Sequence, residues 1–447
     1  MSYKHMTRTL AINTVNKVGQ SVLLKGWVNT RRDHGKIVFI DLRDRTGLVQ
    51  IVSSPELVVG LHSEDVIYVT GKVLARPEKL VNPKLPTGTV EISAETVELI
   101  SKAAELPFDM GKDDLDLELP TLLDYRGLTL RHPKVQAIFR VQEVIIDAFR
   151  QALKAKDFLE FQNPIFIPSV PEGGAEVFRV KYFDREVFLS QSPQLYKSLL
   201  VSIFERVFTV NQVFRAEPSV TTDHMTEFTS LDAEFGFIDS WAEIVDMAEY
   251  VIKFILEEVQ DKCASELAMF RAVIPAVPAK IPVIKMRDAQ QLIFDRTGRD
   301  VRKEKDPSPE DEREICAWAR EVHHSDLVFV SHYMTKYRPF YTYPDDEDPE
   351  FNQGFDLLGR GREWLTGGRR IHNYQQLLDH AREWGVDSQD IEIYLQAFRY
   401  GMPPLGGFAF GAERITKFLL GLDNIRQATM FPRDMERIDT RFSKTEK

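Results

Sequence analysis

Cysteine is almost missing from this 447-residue chain: Cys263 and Cys316 are its two examples, and they form no C-x-x-C pattern. A disulfide scaffold and a cysteine zinc site are therefore not expected, and a reducing compartment is. Long apolar runs are missing as well. Nothing approaches the roughly 20 residues that span a bilayer, and the opening MSYKHMTRTLAINTVNKVGQ has no apolar signal core. A soluble, cytoplasmic protein is expected. There are no internal repeats, and the one biased patch, Asp345-Asp346-Glu347-Asp348, reads as a solvated loop. No Ser/His/Asp or Cys/His constellation of a nucleophilic enzyme stands out. Positive charge is in deficit, with 57 Lys+Arg against 68 Asp+Glu and a net charge of −11. That argues against a protein whose main task is to coat nucleic acid. The deficit is uneven, however. Residues 1–90 hold 13 basic groups against 7 acidic ones, so a polyanion would dock at the N-terminal end.

What is present is ample apolar material, 43% of residues, enough for cores in two or three domains. Five short alternating segments begin the chain: 22–28, 36–42, 47–52, 65–73 and 89–92. Five strands in about eighty residues, with a basic, aromatic-bearing face, suit a small barrel of the OB type. Residues 1–103 are expected to form it. Pro107, Gly111 and Pro120 then punctuate an acidic stretch, and 104–125 reads as a hinge. From Pro133 the apolar spacing becomes helical, through Val135, Ile138, Phe139, Val141, Ile145, Ile146, Phe149 and Leu153. The helix gives way to an extended segment ending Asn163-Pro164-Ile165-Phe166-Ile167-Pro168. Strands are expected near 186–191, 206–216 and 230–238. Helices are expected over 241–260, 307–322, 373–384 and 388–399, with a helical insertion over about 262–335.

Three strings carry the chemistry. The first is Gln191-Ser192-Pro193-Gln194-Leu195-Tyr196-Lys197. The second is Val213-Phe214-Arg215-Ala216-Glu217, followed by His224-Met225-Thr226-Glu227-Phe228. The third is Gly406-Gly407-Phe408-Ala409-Phe410-Gly411-Ala412-Glu413-Arg414. Together they offer an amide and a lysine for a small acidic molecule, arginines for phosphates, and a phenylalanine for a base. In this order they resemble the active-site motifs of class II aminoacyl-tRNA synthetases, most closely the aspartyl-tRNA synthetases. The resemblance runs from about residue 15 to 440, and the catalytic region is similar to the compact archaeal and eukaryotic type. It implies an α+β fold: an N-terminal OB-type β-barrel followed by a class II synthetase antiparallel-sheet catalytic domain, 126–447, with a helical insertion.

It also implies an activity, joining L-aspartate to tRNA(Asp) by way of an aspartyl-adenylate made from ATP with Mg²⁺. Such a reaction needs no enzyme nucleophile, only positioning and charge stabilisation. Arg215 would hold the α-phosphate and the attacking carboxylate with its planar fork. Glu217 would stand near adenine, His224 near the γ-phosphate, and Phe228 beneath the purine. Arg414 would cover the other face of adenine and contact the γ-phosphate, with Gly406 and Gly407 admitting a close backbone approach to the ligand. Glu363 and Thr366 would hold Mg²⁺, threonine standing where the family usually has serine. Lys197 and Arg370 would take the aspartate side chain, beside Gln194, Asp356 and Glu172. In the barrel, Arg31, Phe39, Gln50 and Glu91 match anticodon-reading positions. Alternation along its strand leaves a barrel-core role for Phe39 open. The family pairs its protomers through the long helix and strand, so a homodimer is implied.

Departures are local. Leu405 stands in place of histidine, Ala409 and Ala412 in place of glycine or leucine, and Pro218, Val220 and Asp223 alter the second motif's loop. Asn29 stands where many enzymes that also charge tRNA(Asn) have histidine, which leans towards tRNA(Asp) alone. Charging of both tRNAs is the alternative, and a non-catalytic RNA-binding paralogue is a rival of another class.

Overall fold

Five strands close into a barrel because every second residue along them is apolar and buried. They are β1 (Ser21–His34), β2 (Ile37–Asp44), β3 (Gly47–Ser53), β4 (Val66–Ala75) and β5 (Val90–Ser101). Their order around the barrel is β1-β2-β3-β5-β4, with β3 and β5 parallel at Ile51↔Ile92. Val28, Val38, Ile40, Val49, Ile51, Ile67, Val69 and Ile92 fill its interior. The pairing of β1 with β2 slips by one residue between Val28 and Thr30. Such a slip exchanges the inward and outward faces of the strand beyond it.

The computed structural model describes residues 6–170, 176–218 and 220–442. It divides into two units, Met1–Leu117 and Glu118–Lys447. The second unit begins with α1 (Leu119–Asp124), α2 (Arg126–Thr129) and the long α3 (Pro133–Lys154). His132 caps α3 by accepting from the Lys134 amide, and Pro133 takes the first helical position, where no N–H is missed. After β6 (Leu159–Glu160), β7 (Phe166–Ile167), β8 (Arg179–Tyr182) and β9 (Arg185–Leu189) come α4 (Gln194–Phe204), β10 (Arg206–Phe214) and β11 (Glu227–Gly236). Next are α5 (Ala242–Lys262), α6 (Ala264–Phe270), β12 (Val283–Lys285), α7 (Met286–Thr297), α8 (Pro309–His323) and β13 (Leu327–Ser331). The chain continues through β14 (Gly354–Gly359), β15 (Arg362–Arg370), α9 (Tyr374–Glu383), α10 (Glu392–Arg399), β16 (Leu405–Gly411) and α11 (Ala412–Leu420).

Eight strands form one sheet in the order β12-β13-β14-β15-β16-β11-β10-β6, and β7-β9-β8 form a small second sheet. The large sheet is antiparallel at its centre and parallel where β12 and β6 join its edges. The stretch expected to be a helical insertion thus also supplies β12 and β13, two short strands of the main sheet. Short apolar runs between helices carry too little periodicity to announce themselves.

Alternation along the central strands decides the site. Leu231 pairs with Phe410, and Phe410 packs edge-on against Phe149 of α3 at 5.3 Å. One face of the sheet is therefore core. Asp232 pairs with Ala409, and Ala409 with Thr366, so these residues and their alternate neighbours face the other way. That second face is polar although buried.

Candidate active site

Two adjoining clefts open on the polar face of the large sheet. Arg215, Glu217, His224, Phe228, Glu363, Thr366 and Arg414 all border the first. Gln194, Lys197 and Arg370 border the second. Arg215, Glu217, Ser230, Thr366 and Ala409 border both, so the two share a wall.

Arg215 follows the last residue of β10, and its amide donates to the Thr226 carbonyl at 2.9 Å, closing the β10–β11 connection. Its guanidinium lies over the Phe228 ring, 5.3 Å from the centroid. Arg414 stands on the first turn of α11 and donates from Nη1 to Glu363 Oε1 at 3.2 Å. Burial pushes the Glu363 pKa up, against the pull of Arg414. Glu363 and Thr366 lie three apart on β15, a spacing that alternation would put on opposite faces. The β14–β15 register slips between Leu357 and Leu358, leaving Trp364 as the extra residue. This bulge brings both side chains to one cleft. Glu312 of α8 also belongs to this charge cluster. Its pKa is pushed up to about 7 by burial and by Glu363.

The second cleft rests on a buried ion network. Lys197 of α4 is 1% exposed, and its Nζ lies 2.9 Å from Asp232 Oδ1 and 3.4 Å from Glu234 Oε2. Arg370 donates from Nε to Glu234 Oε1 at 3.0 Å, and Gln194 donates to the same oxygen at 3.2 Å. Burial alone would raise the Glu234 pKa, but Arg370 and Lys197 together hold it below the ordinary carboxylate value. Two cations balance two carboxylates, which makes the burial tolerable. Asp232 and Glu234 were not among the expected site residues. Their signal lies in Ser230-Leu231-Asp232-Ala233-Glu234, where polar residues fall at every second place on a strand that is otherwise core.

Asp356 borders neither cleft directly. Its Oδ2 accepts from Arg338 at 2.9 Å, and the Tyr333 hydroxyl also donates to its carboxylate. Arg338 does border the second cleft and lies over the Tyr333 ring at 3.9 Å. Glu172 falls outside the described residues. Strand packing itself calls for glycine at 406 and 407. A Cβ on Gly406 would lie 2.1 Å from Ile244 Cδ1, and one on Gly407 would lie 2.2 Å from Glu234 Oε2. Leu405 is fully buried in an apolar cluster with Val201, Ile371 and Tyr394 and borders neither cleft itself.

In the barrel, Phe39 lies outside the core, which takes its neighbours Val38 and Ile40. It faces outward with Gln50, whose Nε2 donates to Glu91 Oε2 at 3.2 Å. Arg31 does not join them. It pairs with the inward-facing Ile40 and donates to the Val58 and Leu61 carbonyls at 2.8 and 2.9 Å. Arg32 stands opposite Phe39 instead, a consequence of the slip near Asn29. Asn29 itself accepts from Arg43 Nη1 at 2.9 Å.

Residues 118–435 match the family of class II tRNA synthetases for D, K and N, and residues 22–100 match the OB-fold nucleic acid binding domain. The chain is 41% identical over 439 residues to the aspartate–tRNA(Asp/Asn) ligase of Deinococcus radiodurans, covering 97% of this chain and 99% of that one. It is 37% identical to the aspartate–tRNA(Asp) ligase of Pyrococcus horikoshii, covering 97% and 100%. Among solved structures, asparaginyl-tRNA synthetase from Pyrococcus horikoshii with asparaginyl-adenylate superposes with a TM-score of 0.87 at 31% identity, covering 97% and 99%. Aspartyl-tRNA synthetase from Entamoeba histolytica gives 0.85 at 27% identity, covering 98% and 93%.

Proposed function

The chain belongs to the class II tRNA synthetases, and we propose that within this family it is an aspartate–tRNA ligase acting through aspartyl-adenylate. The observation that carries this reading is the shared wall. A cleft fitted for a nucleotide adjoins a cleft fitted for a small dicarboxylate, and Arg215 borders both. The α-carboxylate of aspartate attacks the α-phosphate of ATP, the bond to the bridging oxygen breaks, and pyrophosphate leaves. Arg215 neutralises charge as it builds on the attacked phosphate. Adenine lies between Phe228 and Arg414, with Glu217 at its edge and His224 at the γ-phosphate. Lys197 and Arg370 take the side-chain carboxylate, using donors beyond those that Asp232 and Glu234 occupy. In the second step the 3′-hydroxyl of the terminal adenosine displaces AMP.

Mg²⁺ fits the donors present. The Glu363 carboxylate and Thr366 hydroxyl line the nucleotide cleft. So sparse a set of oxygens suits a cation that keeps waters and substrate phosphates as its other ligands. Bound there, the ion would screen the triphosphate and polarise it. Exposed Ile165, Phe166, Tyr182 and Phe183 on the small sheet support assembly as a homodimer. The outward Phe39, Gln50 and Glu91 support anticodon reading by the barrel.

The test is charging of separate tRNA(Asp) and tRNA(Asn) transcripts with labelled aspartate. Charging of tRNA(Asp) alone is the expected result, motivated by Asn29. Charging of both is the second reading, favoured by relatives named for both tRNAs at 41% and 40% identity. Charging of neither would refute the assignment.

A further inference from the structure

The loop between β10 and β11 places a negative charge where a triphosphate is proposed to sit. Asp223 borders the same cleft as Arg215, His224 and Arg414. An uncompensated carboxylate there would repel the ligand and weaken its binding. Compensation comes from behind the cleft wall. Lys417 of α11 is 7% exposed, and its Nζ donates to the Asp223 carboxylate and to the Thr222 carbonyl, the latter at 3.0 Å. Arg362 Nε stands 3.8 Å from the other Asp223 oxygen. Burial alone would raise the Asp223 pKa, yet Lys417 and Arg362 hold it below its ordinary value.

The same lysine is part of a row of ties along the loop. Arg426 Nη1 donates to the Thr221 carbonyl at 2.7 Å, and the Ile425 amide donates to the Thr222 carbonyl at 2.9 Å. Thr221 Oγ1 is hydrogen-bonded to His224 Nδ1 at 2.7 Å. The ring expected at the γ-phosphate is therefore anchored to the backbone segment that Lys417 holds.

We propose that Lys417 is a positioning residue for ATP, serving as counter-ion to Asp223 and as a tie that makes residues 221–224 present His224, rather than a bare carboxylate, to the phosphates. This rests on the reading of the cleft as an ATP site. The pairing links residues 194 positions apart, and among the described residues no other lysine meets Asp223.

The experiment is aspartate-dependent ATP–pyrophosphate exchange on the full chain, comparing Lys417→Met, Lys417→Arg, Asp223→Asn and the double variant K417M/D223N. Lys417→Met is expected to raise the ATP KM about tenfold or more, because Asp223 loses its hydrogen-bonded cation and keeps only the more distant Arg362. The aspartate KM should stay within about twofold, and Lys417→Arg should recover most of the loss. In the Asp223→Asn background, Lys417→Met should change the ATP KM by less than about twofold, since no charge remains to neutralise. This last comparison stands even if Lys417→Met alone fails to fold. A tenfold loss in that background, or an equal rise in both KM values, overturns the proposal. If the parent chain shows no exchange, the functional reading fails. ATP binding by calorimetry on the same four variants then decides the role of Lys417 separately.

Discussion

Lys197, proposed to hold the substrate, already serves the fold. It was expected to meet an aspartate carboxylate, and it already lies between Asp232 and Glu234 in the folded chain. Replacing it leaves Asp232 without an ion-pair partner among the described residues and Glu234 with Arg370. Lys197→Ala should therefore raise the aspartate KM by about 100-fold or more and destabilise the fold by about 3–5 kcal/mol, the usual consequence of halving a buried pair. The ATP KM should stay within about twofold. Exchange kinetics with each substrate varied, together with a melting curve, check this; an equal loss of ATP binding would show its role to be misassigned. The place of Lys197 at a cleft was legible because it closes a local string. Its partners lie outside that string, although their every-second-residue spacing on β11 is visible in the sequence. Arg31 is the opposite case. A one-residue slip in β1 turned it inward and put Arg32 beside Phe39.

At the scale of elements, β16 is the strand that joins the two clefts. It pairs with β11 through Gly407↔Glu234 and with β15 through Gly407↔Gly368. A Cβ on Gly407 would meet the Ala233 carbonyl oxygen at 2.1 Å as well as the Glu234 carboxylate. The backbone oxygen cannot move aside without breaking the sheet, so the strand must shift. Gly407→Ala should lower kcat/KM for aspartate by about 10- to 100-fold through displaced Glu234 and Arg370, as misplacement near the reacting atoms does. A variant with parental kinetics would show that the sheet absorbs the methyl group. Helices were the easier elements to foresee. The Ser308/Asp311 capping box, with Pro309 at the first helical position, marks the start of α8 in sequence as in structure. Strands of three and five residues, β12 and β13, left no comparable mark.

For the whole molecule, every cleft residue named above lies within Glu118–Lys447, while Phe39, Gln50 and Glu91 lie within Met1–Leu117. Each unit has its own core. Chemistry and tRNA selection should therefore separate. A chain of residues 118–447 should retain ATP–pyrophosphate exchange within about threefold, as expected for a unit with its own core. Its charging of tRNA should fall by about 100-fold or more, since base stacking and edge contacts at the anticodon would be gone. Loss of exchange in the soluble fragment would contradict this division.

Sequence by itself supplied the residues on which the proposed chemistry rests, because phosphate, adenine and carboxylate each demand a particular residue type, and those residues stand in short strings whose order survives folding. It also determined the barrel and the long helices, whose periodicities repeat often enough to read. Tertiary structure alone decided which charges meet: Lys197 with Asp232 and Glu234, Asp223 with Lys417, Arg414 with Glu363. It also decided which side of a strand faces the ligand beyond Asn29 and around Trp364. The reason is physical. Contacts between distant residues follow from strand order and from one-residue slips in register, and neither leaves a trace in local spacing.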